Sequence, residues 1–367
     1  MKSFLCLTLV AAMLTTMAPP AVGRKKLRTH ATPAPVQKRD PAQIEAATRL
    51  QVFLDRGNFS PGALNGYYDD FTFKALALYR EALGEQAPPP PAKPDTTPDI
   101  SGLDLTNFGP TFIPYTVTEA DLQNIGLVPS AVAAQAKLKF LPYRNAAEAI
   151  AEKFHCDVHF LEELNPGKTR TVKAGDQLKV PNVEPFDLVS VAAIKPGSEI
   201  ASPVANDLPE EADARREGTA SATRNGSAEP GLPTISVKID TKTNMLGVFE
   251  ADKLVAAYPV TIGSARTASP LGEWKVRGIA KLPRFRYDQQ MLKHGWRSGK
   301  FYVLPPGPKN PVGVIWIALN KKGIGLHGTN DPESIGRSSS HGCIRLTNWD
   351  IARLTQQVKS GVPVTIH

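Results

Sequence analysis

The chain has 367 residues, a formal net charge of +8 and three cysteines. That length exceeds one small core and sets an expectation of two to four domains, while so few cysteines exclude a disulfide scaffold. The positive balance favours anionic partners or serves plain solubility, and no nucleic acid is expected: no basic run is interleaved with aromatics, and no helix-turn-helix or zinc-finger spacing occurs.

Residues 1–23 start with Met1-Lys2, continue as an apolar run from Phe4 to Met17 and end in small residues up to Gly23. This is the pattern of a secretory signal peptide, and the run is shorter than the roughly 20 residues of a membrane span. An exported chain is expected, with the periplasm or cell wall as its location. Cys6 lies too deep in the run for lipid attachment, so the mature chain keeps Cys156 and Cys343. They fall in regions separated by a long polar linker, which argues against a bridge. An unpaired thiol in an oxidising compartment is a liability unless it does chemistry.

Residues 24–40 read as a flexible basic leader. From Pro41, Ile44, Ala47, Leu50 and Leu54 recur at helical spacing, and Ala75, Leu76, Tyr79 and Leu83 mark a second helix with Asp70 placed to cap it. Ser60-Pro61-Gly62 and Asn65-Gly66 are turn formers between them. Through Leu50-Gln51, Phe59, Pro61-Gly62, Asn65-Gly66, Thr72, Ala75 and Leu76, residues 41–85 resemble the three-helix peptidoglycan-binding domain of bacterial wall enzymes. Asn65 stands where that family commonly has Asp.

A proline-rich linker follows at 86–100, and 101–139 is too irregular to assign. In 140–183, Ala147, Ile150, Ala151 and Phe154 share one helix face, and Val158, Leu161 and Leu164 mark a short second helix. Asn165-Pro166-Gly167 makes a turn, and Ala174–Pro181 a turn and strand. This order resembles a small α+β LysM module, which implies glycan strands as partners. Its opening strand would be Phe140–Tyr143, a poor match. His155 and His159 flank Cys156 at a spacing zinc can use, but no second ligand pair follows, so no metal is expected. Residues 184–233 are poor in aromatics and read as a disordered linker.

Residues 234–367 change character. Alternating runs at Ile235–Ile239, Leu254–Ile262 and Trp274–Ile279, with Val314–Leu319 and Ile324–His327, read as strands. Thr347 and Asp350 have capping-box spacing ahead of the apolar face Ile351, Leu354 and Val358, and Val362–Ile366 closes the chain as a strand. A mainly-β domain with chemistry on its loops is expected. That chemistry concentrates at His327-Gly328-Thr329 and Ser340-His341-Gly342-Cys343-Ile344-Arg345. A thiol attacks as thiolate, and an imidazole titrating near neutrality is its usual activator. Spacing alone favours neither His327 nor His341. Zinc ligation by His327, His341 and Cys343 would need a spacing that does not recur among zinc sites, and a papain-like enzyme would carry its cysteine before the histidine.

His327, twelve intervening residues and Ser340–Arg345, together with Thr261–Val276 and Leu304–Leu319, resemble the YkuD-type L,D-transpeptidase catalytic domain. The resemblance implies Cys343 as nucleophile, His327 as base and the Gly328 carbonyl as the acceptor that orients it. His341 is then a substrate-side or hydrogen-bonding residue with Ser340 among the supporting residues, the Gly342 and Cys343 amides are candidate oxyanion donors, and Arg345 is a carboxylate clamp. It further implies peptidoglycan stem peptides as donors, an amine acceptor that includes a lipoprotein or free D-amino acid, carbapenem-type inhibitors, and no cofactor. Water as acceptor would make an L,D-carboxypeptidase, and a degenerate third unit would leave a non-catalytic wall-binding protein.

Overall fold

The hydrophobic alternation that marks strands after residue 234 builds one mixed sheet in the computed structural model, which describes residues 39–87, 100–107, 109–195, 199–200, 235–264, 267–338, 340 and 342–367. The expected signal peptide, the leader up to Lys38, the proline run at 88–99, most of the second linker and His341 lie outside the described residues. Twelve strands are described: β1 Phe112–Thr116, β2 Gln177–Pro181, β3 Ile235–Asp240, β4 Met245–Glu250, β5 Lys253–Pro259, β6 Gly272–Lys281, β7 Phe285–Tyr287, β8 Tyr302–Leu304, β9 Ile315–Leu319, β10 Gly325–His327, β11 Ile344–Arg345 and β12 Pro363–Ile366. The large sheet has the order β11-β10-β9-β6-β12-β3-β4-β5, with β10–β11 and β12–β3 parallel.

Strand β9 runs through the middle of the site half and buries every residue. Its alternation splits two cores. Ile315, Ile317 and Leu319 join the main core, whereas Trp316 and Ala318 join a second cluster with Leu141, Phe285, Leu304 and Val312. The main core is closed by a C-terminal helix, Asn348–Gln357, whose Trp349, Ile351 and Leu354 are buried. Thr347 caps it by accepting from the Asp350 amide at 3.2 Å. The reciprocal half of the expected capping box is replaced: the Asp350 carboxylate is buried and accepts from Ser60 Oγ at 2.9 Å.

Residues 41–85 form two helices rather than three, α1 Pro41–Arg56 and α2 Asp70–Ala82. Asp69, not Asp70, caps the second, accepting from the Thr72 amide at 3.0 Å. Arg39 and Asp40, expected in the leader, are ordered: Asp40 caps α1, and Arg39 pairs with Glu163. The turn between the helices is built on buried Gln51. Its Nε2 donates to Asn65 Oδ1, Tyr67 O and Thr72 Oγ1, and its Oε1 accepts from the Asn65 and Gly66 amides. The motif residues of this segment thus converge on one amide.

The strand opposite β2 is β1, at 112–116, and not Phe140–Tyr143. The two pair antiparallel around helices α5 Ala146–Lys153 and α6 Val158–Leu164, after the short helices α3 Glu119–Leu122 and α4 Val132–Gln135. This βααβ unit therefore extends back into the stretch that looked irregular. Pro114 inside a two-stranded edge explains why β1 has a weak sequence signal. The start of the expected disordered linker is also ordered. Phe186 and helix α7, Leu188–Ala193, bury Phe186 and Val191 in the main core.

The units expected to be strung on linkers are packed together, with Arg39–His367 forming one compact body. Backbone bonds join Ser60 and Asn58 to Ala257, so the first unit covers the β5 edge, where Phe59 and Leu54 pack with Leu254 and Ala257. Leu64 pairs with Cys156, tying the first unit to the second. Buried apolar area at these seams favours one body over separate beads.

Candidate active site

Register sets the site. Opposite residues on neighbouring strands share a face, and His327 on β10 lies between Trp316 of β9 and Arg345 of β11. Cys343 precedes Arg345 by two residues, which returns it to the same face. The His327 and Trp316 rings stack at 5.2 Å with an interplanar angle of 9°. His327 Nδ1 donates to the Gly328 carbonyl at 2.7 Å. A carbonyl can only accept, so Nδ1 carries the proton and Nε2 is left as a lone pair.

The Cys343 thiol donates to the Gly323 carbonyl at 3.4 Å. Ser340 clamps the loop before β11. Its Oγ donates to the Cys343 carbonyl and accepts from the Gly342 amide at 3.2 Å, while its own amide donates to Ile262 O at 2.7 Å. Gly342 has φ of 109°, a conformation that glycine adopts without strain. His327, Cys343 and Arg345 open on a cavity of about 410 Å³ roofed by Phe285, Tyr287 and Met291. The roof is the β7–β8 hairpin with helix α8, Gln289–His294, between its strands. Arg297 and Lys322 also line the cavity, and no carboxylate does among the described residues. An anionic, partly apolar ligand fits such a lining.

A model of the L,D-transpeptidase catalytic domain, YkuD, matches residues 234–366. The chain is 33% identical over 132 residues to the putative L,D-transpeptidase YkuD of Bacillus licheniformis, covering 36% of this chain and 64% of that protein. It is 32% identical over 147 residues to the corresponding Bacillus subtilis protein, covering 38% of this chain and 72% of that one. The chain belongs to the YkuD family of L,D-transpeptidases. Its match spans about two thirds of the length of these relatives. Among solved structures, the L,D-transpeptidase LdtMt1 in complex with imipenem aligns with a TM-score of 0.30 and 16% identity, over 37% of this chain and 59% of that one.

In this YkuD domain the two central groups are neutral at rest. Burial pushes the Cys343 thiol up to about 11, with partial relief from the Gly325 backbone and the Arg345 charge. Burial and then Arg345 bring His327 down to about 3, opposed by the Gly328 carbonyl. The sequence-based expectation of an imidazole titrating near neutrality is corrected: the ring is 4% exposed, and an imidazolium there is poorly solvated. The Gly342 amide is the other group expected as an oxyanion donor. It is bonded to Ser340 Oγ here.

The structure brings Cys343, His327, Gly328, Ser340, Gly342 and Arg345 together at the end of β10 and β11. His155 and His159 are instead split, the first buried and the second exposed. His155 stacks on Trp349 at 5.0 Å and bonds Asp55 at 3.1 Å. Sequence reasoning missed Trp316, although alternation through Val314–Leu319 placed it on the face opposite Ile315 and Ile317. It also missed Arg297 and Lys322, whose loops carry no motif.

Proposed function

We propose that this chain is an exported, wall-associated L,D-transpeptidase in which Cys343 is the nucleophile and His327 the base. The observation that carries the reading is the pairing on one sheet face, at the floor of a cationic cavity, of a thiol and an imidazole whose Nδ1 is held by Gly328. A neutral pair calls for proton transfer concerted with attack. The Sγ–H proton moves to His327 Nε2 as Sγ bonds the carbonyl carbon of the donor stem. The C–N bond to the terminal D-residue then breaks, and the leaving amine takes that proton. An acceptor amine attacks the thioester and gives its proton to Nε2, and as the C–S bond breaks Nε2 returns that proton to Sγ.

Arg345 and the cations beside it would hold the carboxylates of the stem peptide. The Cys343 amide would stabilise the developing oxyanion, joined by Gly342 once a substrate turns Ser340 Oγ aside. The Gln51-centred two-helix unit and the βααβ unit are assigned, by their resemblance to peptidoglycan-binding and LysM modules, to holding wall polymer. Carbapenem-type β-lactams would acylate Cys343.

The test is incubation of the purified mature chain with a disaccharide-tetrapeptide, with and without an amine acceptor, followed by mass spectrometry. Loss of the terminal residue with joining to the amine is expected. Loss without joining would make the enzyme an L,D-carboxypeptidase. No turnover by folded, reduced protein would overturn the catalytic reading and leave wall binding.

A further inference from the structure

The Gly328–Thr329 peptide unit, whose carbonyl fixes His327, is held at the Thr329 amide by Asn348, and Asn348 is in turn held from outside the catalytic domain. Asn348 opens the C-terminal helix and is fully buried. Its Oδ1 accepts from the Val314 and Thr329 amides, each at 3.2 Å, and so joins the lead-in to β9 with the turn after β10. The fit around that oxygen is tight. A Cβ added to Gly313 or Gly328 would lie 2.1 Å from it. With Oδ1 committed to two amides, the Asn348 Nδ2 group needs an acceptor in a place water does not reach. That acceptor is Glu152 Oε1 at 2.5 Å, on α5 of the βααβ unit and 196 positions earlier in the chain. Glu152 is 6% exposed.

We propose that Glu152 is a positioning residue for His327, acting through Asn348, so that docking of the βααβ unit completes the geometry of the catalytic base. Glu152 keeps the Asn348 amide in the orientation that points Oδ1 at Thr329 and Val314. Turned over, the amide would aim N–H at two N–H donors and release the turn that carries Gly328. His327 would then lose the acceptor for Nδ1–H, and the ring would populate both tautomers. A base displaced by a fraction of an ångström is slow without binding substrate any less well. The two-helix unit bonds the same C-terminal helix at Asp350 and Arg353, and among the described residues it offers Asn348 no such contact.

The proposal rests on the reading of His327 as base, and the experiment separates the two. Wild type, Glu152→Asp and Glu152→Gln are compared for the rate constant and apparent affinity of acylation by imipenem, and for the His327 tautomer by long-range proton–nitrogen NMR of the imidazoles. Aspartate keeps the carboxyl group but loses the reach to Asn348, whereas glutamine keeps the reach and replaces the carboxyl with an amide. For Glu152→Asp, about a tenfold slower acylation with unchanged affinity and a mixed tautomer is expected. Glu152→Gln is expected within threefold of wild type with Nδ1–H retained. Equal rates and tautomers in wild type and Glu152→Asp would overturn the proposal, as would an equal loss in both variants. A wild type that imipenem does not acylate would remove the reading of the base, while the tautomer comparison still decides the contact.

Discussion

Two of the regions that bury ionisable groups resolve the same problem in opposite ways. At the junction of α1, the α5–α6 turn and the C-terminal helix, charge is kept and paired. Asp55 is fully buried, takes two bonds from Arg353 at 2.8 and 3.1 Å, and meets His155. Despite its burial, the Arg353 and His155 partners hold the Asp55 carboxyl well below the usual carboxylate range. At the end of β10 and β11, by contrast, burial is answered by neutrality, with the thiol shifted up and the imidazole down. A junction must hold one arrangement, which a paired charge specifies. A site must move a proton, and a neutral pair can do so without separating charge before the substrate arrives.

The comparison can be broken at either end, because variants in one region should leave the other's readout alone. His327→Gln should slow acylation of Cys343 by about 10³-fold. Its melting temperature should stay close to wild type, since Gln can still be held by the Gly328 carbonyl. Stopped-flow or quenched acylation alongside calorimetry would check both. Arg353→Met should instead cost about 3 kcal/mol or more at pH 7, because Asp55 is then buried without its partner. The double variant Asp55→Leu/Arg353→Met should recover part of that loss in urea unfolding. A double variant less stable than the single one would contradict the pairing account.

The pH dependence sharpens the contrast within the junction itself. Burial, with Asp55 close by, raises the Asp350 carboxyl to about 7. A group raised in the folded state binds more protons folded than unfolded between its two pKa values. Its contribution to stability is therefore present below about pH 4 and is lost as pH rises towards 7. Asp55 has the opposite sign, giving stability above about pH 4 that is lost on acidification. Asp350→Asn should remove on the order of 1–3 kcal/mol of the change between pH 4 and 7, read from unfolding curves at each pH. An unchanged pH profile would mean that Asp350 is ionised in the folded protein. The smallest effect belongs to the surface. Lys74→Ala breaks an exposed pair with Asp70 one helical turn away and should change stability by less than about 0.5 kcal/mol.

Much of the catalytic half was readable from local pattern. Strand alternation located β3, β6, β9 and β10, and Thr347 announced the last helix. What local pattern could not supply was contact across sequence distance. Glu152 and Asn348 are 196 positions apart and Asp55 and Arg353 are 298 apart, so nothing near either carboxylate reveals its partner. The β4–β5 hairpin turns through Ala251 and Asp252, both at positive φ, with none of the Asn-Gly signal that such a turn usually carries. The cavity over the thiol and imidazole is lined by Phe285, Tyr287 and Met291, which no motif announces. A proline within β1 hid the strand that completes the βααβ unit.

The most direct test of the central claim is the intact mass of the purified protein after exposure to imipenem, read beside Cys343→Ala. One adduct per chain, absent from the alanine variant and formed slowly in His327→Gln, is the expected result. A folded, reduced protein that keeps its mass, or an adduct that survives in Cys343→Ala, would contradict the assignment of Cys343 as the activated nucleophile.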